Sequence, residues 1–438
     1  MSAWVESLKV YREPRLLAVL FMGFSSGLPL PLTFATLSFW LAEVGVSRTD
    51  IGLFVLVGFA YNYKFLWSPF IDSMPLPGLT SRLGRRRGWA IAIQVVLALA
   101  IVALGALDPS TDLPLIALAA IAVAFLSASQ DIVIDAFRIE LLTPEEQGAG
   151  AAATQWGYRV GLLASGAGAL YVAEFGGWHV AYAVMAALMV VGMITILVTP
   201  EPARPPDQPA ESRSGPAADR VREWLTTAVI QPFADFMTRP GWAAILAFVI
   251  LYKFGDALAG VMANPFYVAM GFTKVEIASI SKVFGFGATL AGVAAGGAVA
   301  YRLGFYRSLF ICGLLQMASN FMYVVQAWVG HDPLLLTVTI FSENFTGGMG
   351  SAAFVAYLSS LCNVAFTATQ YALFSSLAAL PTRLLSAPAG WLSEQLDWAS
   401  FFALTALAAV PGLVMVLWLM QRFPNAAVAR KPALIVDD

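Results

Sequence analysis

Charge is scarce in this chain: Asp, Glu, Lys and Arg make up 12% of its 438 residues, against about a quarter in soluble domains. Cysteine and histidine are scarcer, with two of each. Cys312 and Cys362 form no CxxC pair and stand in no spacing with histidine that would hold zinc, which excludes a disulfide framework and a Cys/His metal centre. They read as buried thiols. His179 and His331 fall in short loops and read as solvated side chains rather than proton sensors. Phosphate loops of the GxxxxGKS or GxxxxGKT type are missing, so ATP is excluded as the direct source of energy. No nucleophile, base and orienting group share a recognisable spacing, which argues against an enzyme. No cofactor, metal or nucleic-acid partner is expected. A cleavable secretory signal is not visible either: polar residues fill positions 1–15, and a full apolar span with Pro29 and Pro31 follows.

What is abundant is apolar. Hydrophobic residues make up 59% of the chain and the mean hydropathy is +0.75, the composition of an integral membrane protein. The apolar runs are long enough to cross a hydrocarbon layer of ~30 Å as helices, whereas barrel strands would be short and alternating. Twelve candidate spans follow, at 16–41, 50–71, 89–107, 114–137, 148–172 and 180–199, then 242–269, 276–300, 308–329, 334–361, 367–391 and 398–420. An even number puts both termini on one side.

The basic residues choose that side. With the N-terminus inside, eighteen Lys and Arg face the cytoplasm, among them Arg82, Arg85, Arg86, Arg87, Arg138, Arg302 and Arg307; only Arg48 and Lys274 lie outside. The remaining five, Lys64, Arg159, Lys253, Lys282 and Arg383, stand within spans, so all 25 are placed. Both termini are expected in the cytoplasm.

Residues 199–220 are rich in Pro, Ser, Ala and charge and read as a linker. Beyond them Val221, Trp224, Leu225, Ala228, Val229 and Phe233 recur at helical spacing, which suggests a short amphipathic helix on the inner membrane face, disturbed at Pro232. The expected organisation is a six-helix half (1–199), a cytoplasmic linker with its short helix (200–240), a second six-helix half (241–425) and a tail (426–438).

Ionisable groups at membrane depth are costly unless they face a wet cavity or a partner, and a chain with several of them points to a transport pathway. Asp131 and Asp135 are one helical turn apart and share a face, and Gln130 precedes Asp131. Asp131 is expected to carry a proton or touch substrate; Asp135, nearer the helix end, is the weaker candidate and can simply pair with loop arginines. Arg159 stands among Gln155, Trp156 and Tyr158 and suits bidentate capture of a carboxylate; the plainer alternative is an ion pair with Asp131 or Asp135. Lys253 and Asp256, three apart beside Tyr252, can pair along one helix face, and Glu343 beside Asn344 is the other deep acid. Candidate substrate contacts are therefore Lys64, Gln130, Asp131, Gln155, Trp156, Tyr158, Arg159, Tyr252, Lys253, Asn344 and Gln370; candidate proton carriers are Asp131, Asp135, Asp256 and Glu343. Gly27, Pro29 and Pro31, Asn264 and Pro265, and Pro381 and Pro388 mark places where helices are expected to break and open backbone groups to a cavity. The GGMG run (347–350) and the small residues around Gly166 and Gly168 read as close helix packing.

The halves echo each other: RLGRRR (82–87) follows the second span and RLGFYR (302–307) the eighth, while ATQ occurs at 153–155 and again at 368–370. Two six-helix repeats with a basic loop after the second helix of each resemble the major facilitator superfamily. The resemblance implies an all-α integral membrane protein of twelve transmembrane helices in two repeats, with the first, fourth, seventh and tenth helices lining a cavity. Asp72 followed by RLGRRRG is similar to that superfamily's gating loop, with some nine residues between the acid and the first arginine here; Asp72, Arg82, Arg85, Arg86 and Arg87 are then expected to latch the inner ends of the halves.

Ten colinear strings sharpen the resemblance. FMGFSSGLPLPLTFATLSFWL (21–41), FLWSPFID (65–72), LGRRRGW (83–89), SASQDIVIDAF (127–137) and EEQGAGAA (145–152) occur in the first half, with GYRVGLLASG (157–166). LYKFGDAL (251–258), ENFTGGMGSAAFVAYL (343–358), LCNVAFTATQYALFSSLAAL (361–380) and GWLSEQLDW (390–398) follow in the second. Together they are similar to the AmpG-type muropeptide permeases. What this resemblance implies is a secondary transporter of the bacterial inner membrane that carries anhydro-muropeptides from periplasm to cytoplasm for cell-wall recycling, driven by protons; oligomeric state stays open. Two alternatives stand beside it: a porter of the same superfamily for another solute such as acetyl-CoA, and a non-transporting assembly factor for membrane complexes.

Overall fold

The structure is a computed structural model that describes residues 10–46, 50, 54–203, 225–273, 276–380 and 389–423. Arg48, Lys274, Arg383, Pro381, Pro388 and most of the linker lie outside the described residues, as does the Lys282 side chain.

Every element of regular structure among the described residues is helical. The first span comes in three pieces, α1 (Pro14–Gly27), α2 (Pro29–Thr33) and α3 (Ala35–Glu43), broken where Pro29 follows Leu28 and where Phe34 leaves helical geometry at φ −126, ψ −96. The second is broken further, into a 3-10 turn (Phe54–Gly58), α4 (Phe59–Tyr63), a second 3-10 turn (Lys64–Leu66) and α5 (Ser68–Ser73). A short α6 (Leu79–Leu83) leads into the long α7 (Arg85–Ala106), α8 (Leu113–Leu141), α9 (Gln147–Leu163) and α10 (Ala169–Val198). After the linker come α11 (Gln231–Met237), α12 (Trp242–Leu251), α13 (Phe254–Ala269), α14 (Gly285–Leu303), α15 (Phe305–Val329) and α16 (Pro333–Ser360). The chain closes with α17 (Thr367–Leu380), α18 (Ala389–Gln395), α19 (Trp398–Leu407) and α20 (Val410–Arg422).

Among the described residues eight continuous helical runs are long and apolar enough to cross a membrane, and α16 with α17, bent by 97°, is a ninth. The run Gln147–Val198 holds 52 residues, far more than one crossing needs. Gly177, at φ 79 and ψ 168, breaks it between the expected fifth and sixth spans. Counting that run and the bent pair as two spans each, and adding the fragmented second span, recovers the twelve expected crossings.

Glycine sets how closely the helices approach. A Cβ on Gly23 or Gly27 of α1 would strike the backbone of Thr154 or Tyr158, and one on Gly157 or Gly161 of α9 would strike Leu20 or Phe24. Two reciprocal GxxxG faces thus lock the first span to the fifth. Gly292 and Gly296 do the same for α14 against Phe345 and Met349 of α16, and Gly348 answers from the other side, so the GGMG run is close packing. Gly166 and Gly168 are not: they lie in a π-helical turn (Ala164–Gly168) with open space where a side chain would be. The repeat shows in backbone geometry too. Gly84 (φ 95, ψ 172) and Gly304 (φ 76, ψ 174) turn the two RLG loops through the same left-handed corner.

Apolar clusters divide the molecule along its long axis. At one end Trp40, Leu97, Ile116 and Tyr182 pack wholly within the first half, and Phe266, Tyr323, Phe401 and Phe402 wholly within the second. At the other end, which carries the basic loops, clusters mix the halves: Ala151 with Ala300 and Ala356, Ala152 with Val293 and Ala352, Ile132 with Ala368 and Ala372. The halves are therefore closed on each other at the basic-loop end. The short helix after the linker joins that closure. It runs as a π turn (Leu225–Ile230) into α11, with Pro232 accommodated in its first turn, and Phe236 meets Phe374 of α17 at 4.8 Å. One side of it docks on protein there through Phe236, while Leu225, Ile230 and Met237 stay exposed.

Candidate functional site

A cavity of about 710 Å³ lies between the halves, within the ~300–1,000 Å³ usual for small-molecule sites. Arg159 of α9 reaches it from the first half; Lys253, Asp256, Thr289, Gln316, Glu343, Asn344, Ser351, Phe354, Tyr371 and Ser375 line it from the second.

Local structure explains each placement. The seventh span breaks at Tyr252 and Lys253, where Lys253 takes φ −99 and ψ 6, and not at Asn264 and Pro265, which stay within α13. That break turns the Lys253 ammonium inward, 3.2 Å from Asp256 Oδ2 and 3.4 Å from Gln316 Oε1. On α16 the Asn344 amide donates to Glu343 Oε2 at 2.8 Å and to the Ile340 carbonyl at 3.0 Å, while Thr289 donates to Asn344 Oδ1 at 2.9 Å. Glu343 is thereby held toward the void. Arg159 is the unspent group: its Nε is buried and has no hydrogen-bond partner among the described residues. A guanidinium left that way is expected to find water or a cargo oxygen. The cavity thus offers a cation from each half, two acids, amide and hydroxyl groups, and the Phe354 and Tyr371 rings.

Other residues singled out from sequence are spent elsewhere. Asp131 accepts a short hydrogen bond from Ser26, and Asp135 sits between Lys64 at 4.0 Å and Arg138 at 3.6 Å, so neither acid is the partner of Arg159. Gln130 donates to the Ser25 carbonyl at 3.0 Å and Tyr252 to the Leu309 carbonyl at 2.9 Å, both within packed helices. Gln370 donates to the Pro232 carbonyl and to Asp235, each at 2.9 Å, tying α17 to α11. Trp156 donates to the Leu290 carbonyl at 2.6 Å and Gln155 to Ser351 Oγ at 2.8 Å, which makes both inter-half clasps. Tyr158 is half-buried where α9 crosses α1. Of the substrate candidates, only Arg159, Lys253 and Asn344 line the cavity together with the acids Asp256 and Glu343. Both histidines are exposed, as expected, and each also has a contact: His179 with the Gly105 carbonyl, His331 with the tilted Phe272 ring at 4.6 Å and with Glu276 at 3.2 Å. Cys312 and Cys362 are buried thiols.

The closed end is held by charge. Arg86, 1% exposed, donates to Asp72 Oδ1 at 2.6 Å and to Glu140 Oε1 at 2.5 Å; Arg85 adds a bond to the Asp72 carbonyl at 2.8 Å and an ion pair with Glu140 at 3.4 Å. Glu201 accepts from the backbone of Arg86 and Arg87, and Arg87 caps the Leu197 carbonyl at 2.6 Å, whereas Arg82 stands exposed. The other Asp72 oxygen crosses to the second half, accepting from Thr369 N at 3.1 Å and Thr369 Oγ1 at 3.3 Å in the first turn of α17. A carboxylate at a helix N-terminus is favoured by both free N–H groups and the dipole. Arg138 crosses as well, donating to Ser359 Oγ at 3.0 Å while its guanidinium lies 5.4 Å from the Tyr371 ring centre. Sequence reasoning counted Arg138 only among the cations facing the cytoplasm; it is 0% exposed. The signal was present: Asp131, Asp135 and Arg138 form one stripe at helical spacing. Glu140, Glu201 and Asp235 were missed because their partners are far away in the chain.

With this geometry in place, comparison with known proteins is decisive. The Major Facilitator Superfamily family model matches residues 16–384. The Anhydromuropeptide permease of Escherichia coli (strain K12) is 41% identical over 412 residues, covering 94% of this chain and 80% of that protein. This chain belongs to the AmpG family of the Major Facilitator Superfamily. The Putative transporter AmpG 4 of Rickettsia conorii is 37% identical over 418 residues, covering 94% of this chain and 98% of that one. Among solved structures, the proton:xylose symporter XylE bound to 6-bromo-6-deoxy-D-glucose superposes with a TM-score of 0.65 over 98% of both chains at 13% identity, a likeness of fold alone. The protein is thus a multi-pass membrane transporter and not an enzyme.

Proposed function

We propose that this protein imports anhydro-muropeptides, N-acetylglucosaminyl-1,6-anhydro-N-acetylmuramic acid with or without its stem peptide, across the bacterial inner membrane by proton-coupled alternating access. The observation that carries the reading is the cavity, which sets Arg159 of one half against Lys253 of the other and is closed at the basic-loop end. A muropeptide presents carboxylates, amides and sugar faces; a guanidinium, an ammonium, the Asn344 amide and two aromatic rings complement these in kind. The relative named Anhydromuropeptide permease supports the same cargo.

Positive loops favour the cytoplasm, so both termini and the closed end lie inside and the cavity opens to the periplasm in this conformation. The halves 1–199 and 241–425 rock about the cavity, with residues 200–240 as their cytoplasmic connection. Glu343 and Asp256 are the proton carriers favoured by position, because both line the void beside a cation. Asp131 remains a candidate through its place on the stripe with Asp135; Asp135, held by two cations, is the weaker one.

The test is accumulation of labelled anhydro-muropeptide in right-side-out vesicles with and without a protonophore. Concentrative uptake that the protonophore abolishes is expected. Absence of uptake refutes the cargo, and accumulation indifferent to the protonophore refutes the coupling.

A further inference from the structure

Arg138 is under-used by the seam it sits in. Its guanidinium is fully buried and donates one hydrogen bond, to Ser359; Nε and Nη2 have no hydrogen-bond partner among the described residues, although Asp135 stands 3.6 Å from Nη2. A guanidinium carries five donors in a planar fork whose natural complement is a carboxylate taken by two parallel bonds. One serine hydroxyl does not fill that fork.

Its position gives the spare capacity a use. Arg138 belongs to the first half, and what covers it belongs to the second: Ser359 of α16 and the ring of Tyr371 of α17. Tyr371 also lines the cavity that holds Arg159 and Lys253, so Arg138 lies behind the cavity floor on the side of the closed end. Ser359 and Tyr371 both belong to the second half and Arg138 to the first, so a parting of the halves at that end would take both covers away from Arg138 together. Asp135 fills the fork only in part: its Oδ1 lies 3.6 Å from Nη2 as an ion pair without a hydrogen bond, its Oδ2 faces Lys64 at 4.0 Å, and Nε is left without a partner among the described residues. One cluster of the seam is alanine, Ala151, Ala300 and Ala356, and a bare carboxylate passing that wall without a partner loses hydration it does not recover there.

We propose that Arg138 is a second, inner station for a cargo carboxylate, uncovered only when the closed end opens, which receives the anion that Arg159 and Lys253 release. The inference rests on the muropeptide reading for its cargo.

The experiment uses the full chain in proteoliposomes, as wild type, Arg138→Gln and Arg138→Lys. Two labelled cargoes are compared: the anhydro-disaccharide with its free lactyl carboxylate, and the neutral carboxamide of the same molecule. Arg138→Gln is expected to slow uptake of the acid about tenfold or more, the loss of a charge-assisted bond, while the carboxamide changes by less than about twofold. Binding of the acid to the solubilised protein stays within about twofold, because the station is covered in the outward-facing state. Arg138→Lys keeps the charge but not the fork and falls between the two; should Arg138→Gln not fold, the lysine variant carries the same comparison. Equal slowing of both cargoes means that Arg138 only props the seam, and overturns the station while the muropeptide reading stands. Unchanged acid uptake overturns it too. Wild-type protein that carries neither cargo refutes the muropeptide reading and the station with it.

Discussion

Replacing Asp72 by Asn should loosen the closed end by an amount that its contacts allow to be worked out. Asp72 Oδ2 accepts two bonds from Thr369 of the opposite half, and Oδ1 accepts one from Arg86 of its own half. Asparagine has the same shape, keeps one acceptor oxygen and loses the charge. Its amide nitrogen cannot accept from the Thr369 N–H, so at least one charge-assisted bond across the seam goes, about 1.5–3 kcal/mol. A smaller loss comes from the α17 dipole, about 0.3–1 kcal/mol. Arg86 is not orphaned, because Glu140 still holds it at 2.5 Å, and no buried-charge penalty is added. Taking the first figure alone, the population open at this end rises about 10- to 150-fold. The assay is thiol labelling. Ala356, 0% exposed and packed against Ala151 and Ala300, is changed to cysteine in a background with Cys312 and Cys362 replaced by serine, and its reaction with a maleimide is timed. Labelling at least about tenfold faster with Asp72→Asn is expected, since the rate follows the open population. Labelling that is unchanged or slower shows that the seam does not depend on this carboxylate.

Four further outcomes follow from the same geometry. Arg159→Ala should cut uptake of an acidic cargo by about tenfold or more with expression intact, and normal uptake disposes of the cavity assignment. Glu343→Gln should abolish protonophore-sensitive accumulation while exchange of labelled for unlabelled cargo continues; accumulation at the wild-type level rejects Glu343 as carrier. Gly157→Ala should lower the thermal midpoint in detergent, because its Cβ meets the Leu20 carbonyl and overpacking of that kind costs about 1–3 kcal/mol, whereas Gly166→Ala, facing open space, should not. Asp397 caps α19 through Ser400, and the Ser400 hydroxyl and N–H hold its carboxyl below the usual range. A depressed folded value means stability that is present above the unfolded pKa, about 3.9, and lost on acidification, so Asp397→Ala should destabilise at neutral pH with a gap that narrows in acid.

Hydropathy made the crossings legible because each needs only a run of apolar residues, and the second span was legible as a run even though it folds as four short pieces. The rotation of each helix was not, since charge sparsity leaves too few polar residues to mark a face. Lys253 and Asp256 could be paired from spacing, being three apart on one helix. Arg159 could be singled out as unpaired or paired, but not which; its surroundings come from α16, almost two hundred residues later in the chain, and include Glu343 rather than Asp131. The same distance hid Asp72 with Thr369 and Trp156 with Leu290. Helix breaks followed a similar rule. Proline marked the break in the first span, whereas the seventh breaks at Tyr252 and Lys253, where no local residue demands it and tertiary packing against Leu309 and Phe354 decides.

The loop-charge rule and the burial of arginine have to be reconciled. Arg86 and Arg138 count among the cations expected inside, yet both are almost wholly inaccessible to water. The two facts are compatible because the rule acts while the chain is being inserted, when those side chains are at the membrane surface, and burial comes later as the halves close. Arginine suits both stages: it remains charged in either environment and its fork can exchange water for Asp72, Glu140 or Ser359. Basic residues at this end therefore hold a seam that must also come apart in each cycle. A seam sealed with apolar side chains alone would have no charged ligands for a passing anion, and one sealed with fully satisfied ion pairs would resist opening. Arg86 approaches the second condition and Arg138 does not, which is why the incomplete bonding of Arg138 marks the place where cargo and gate can meet.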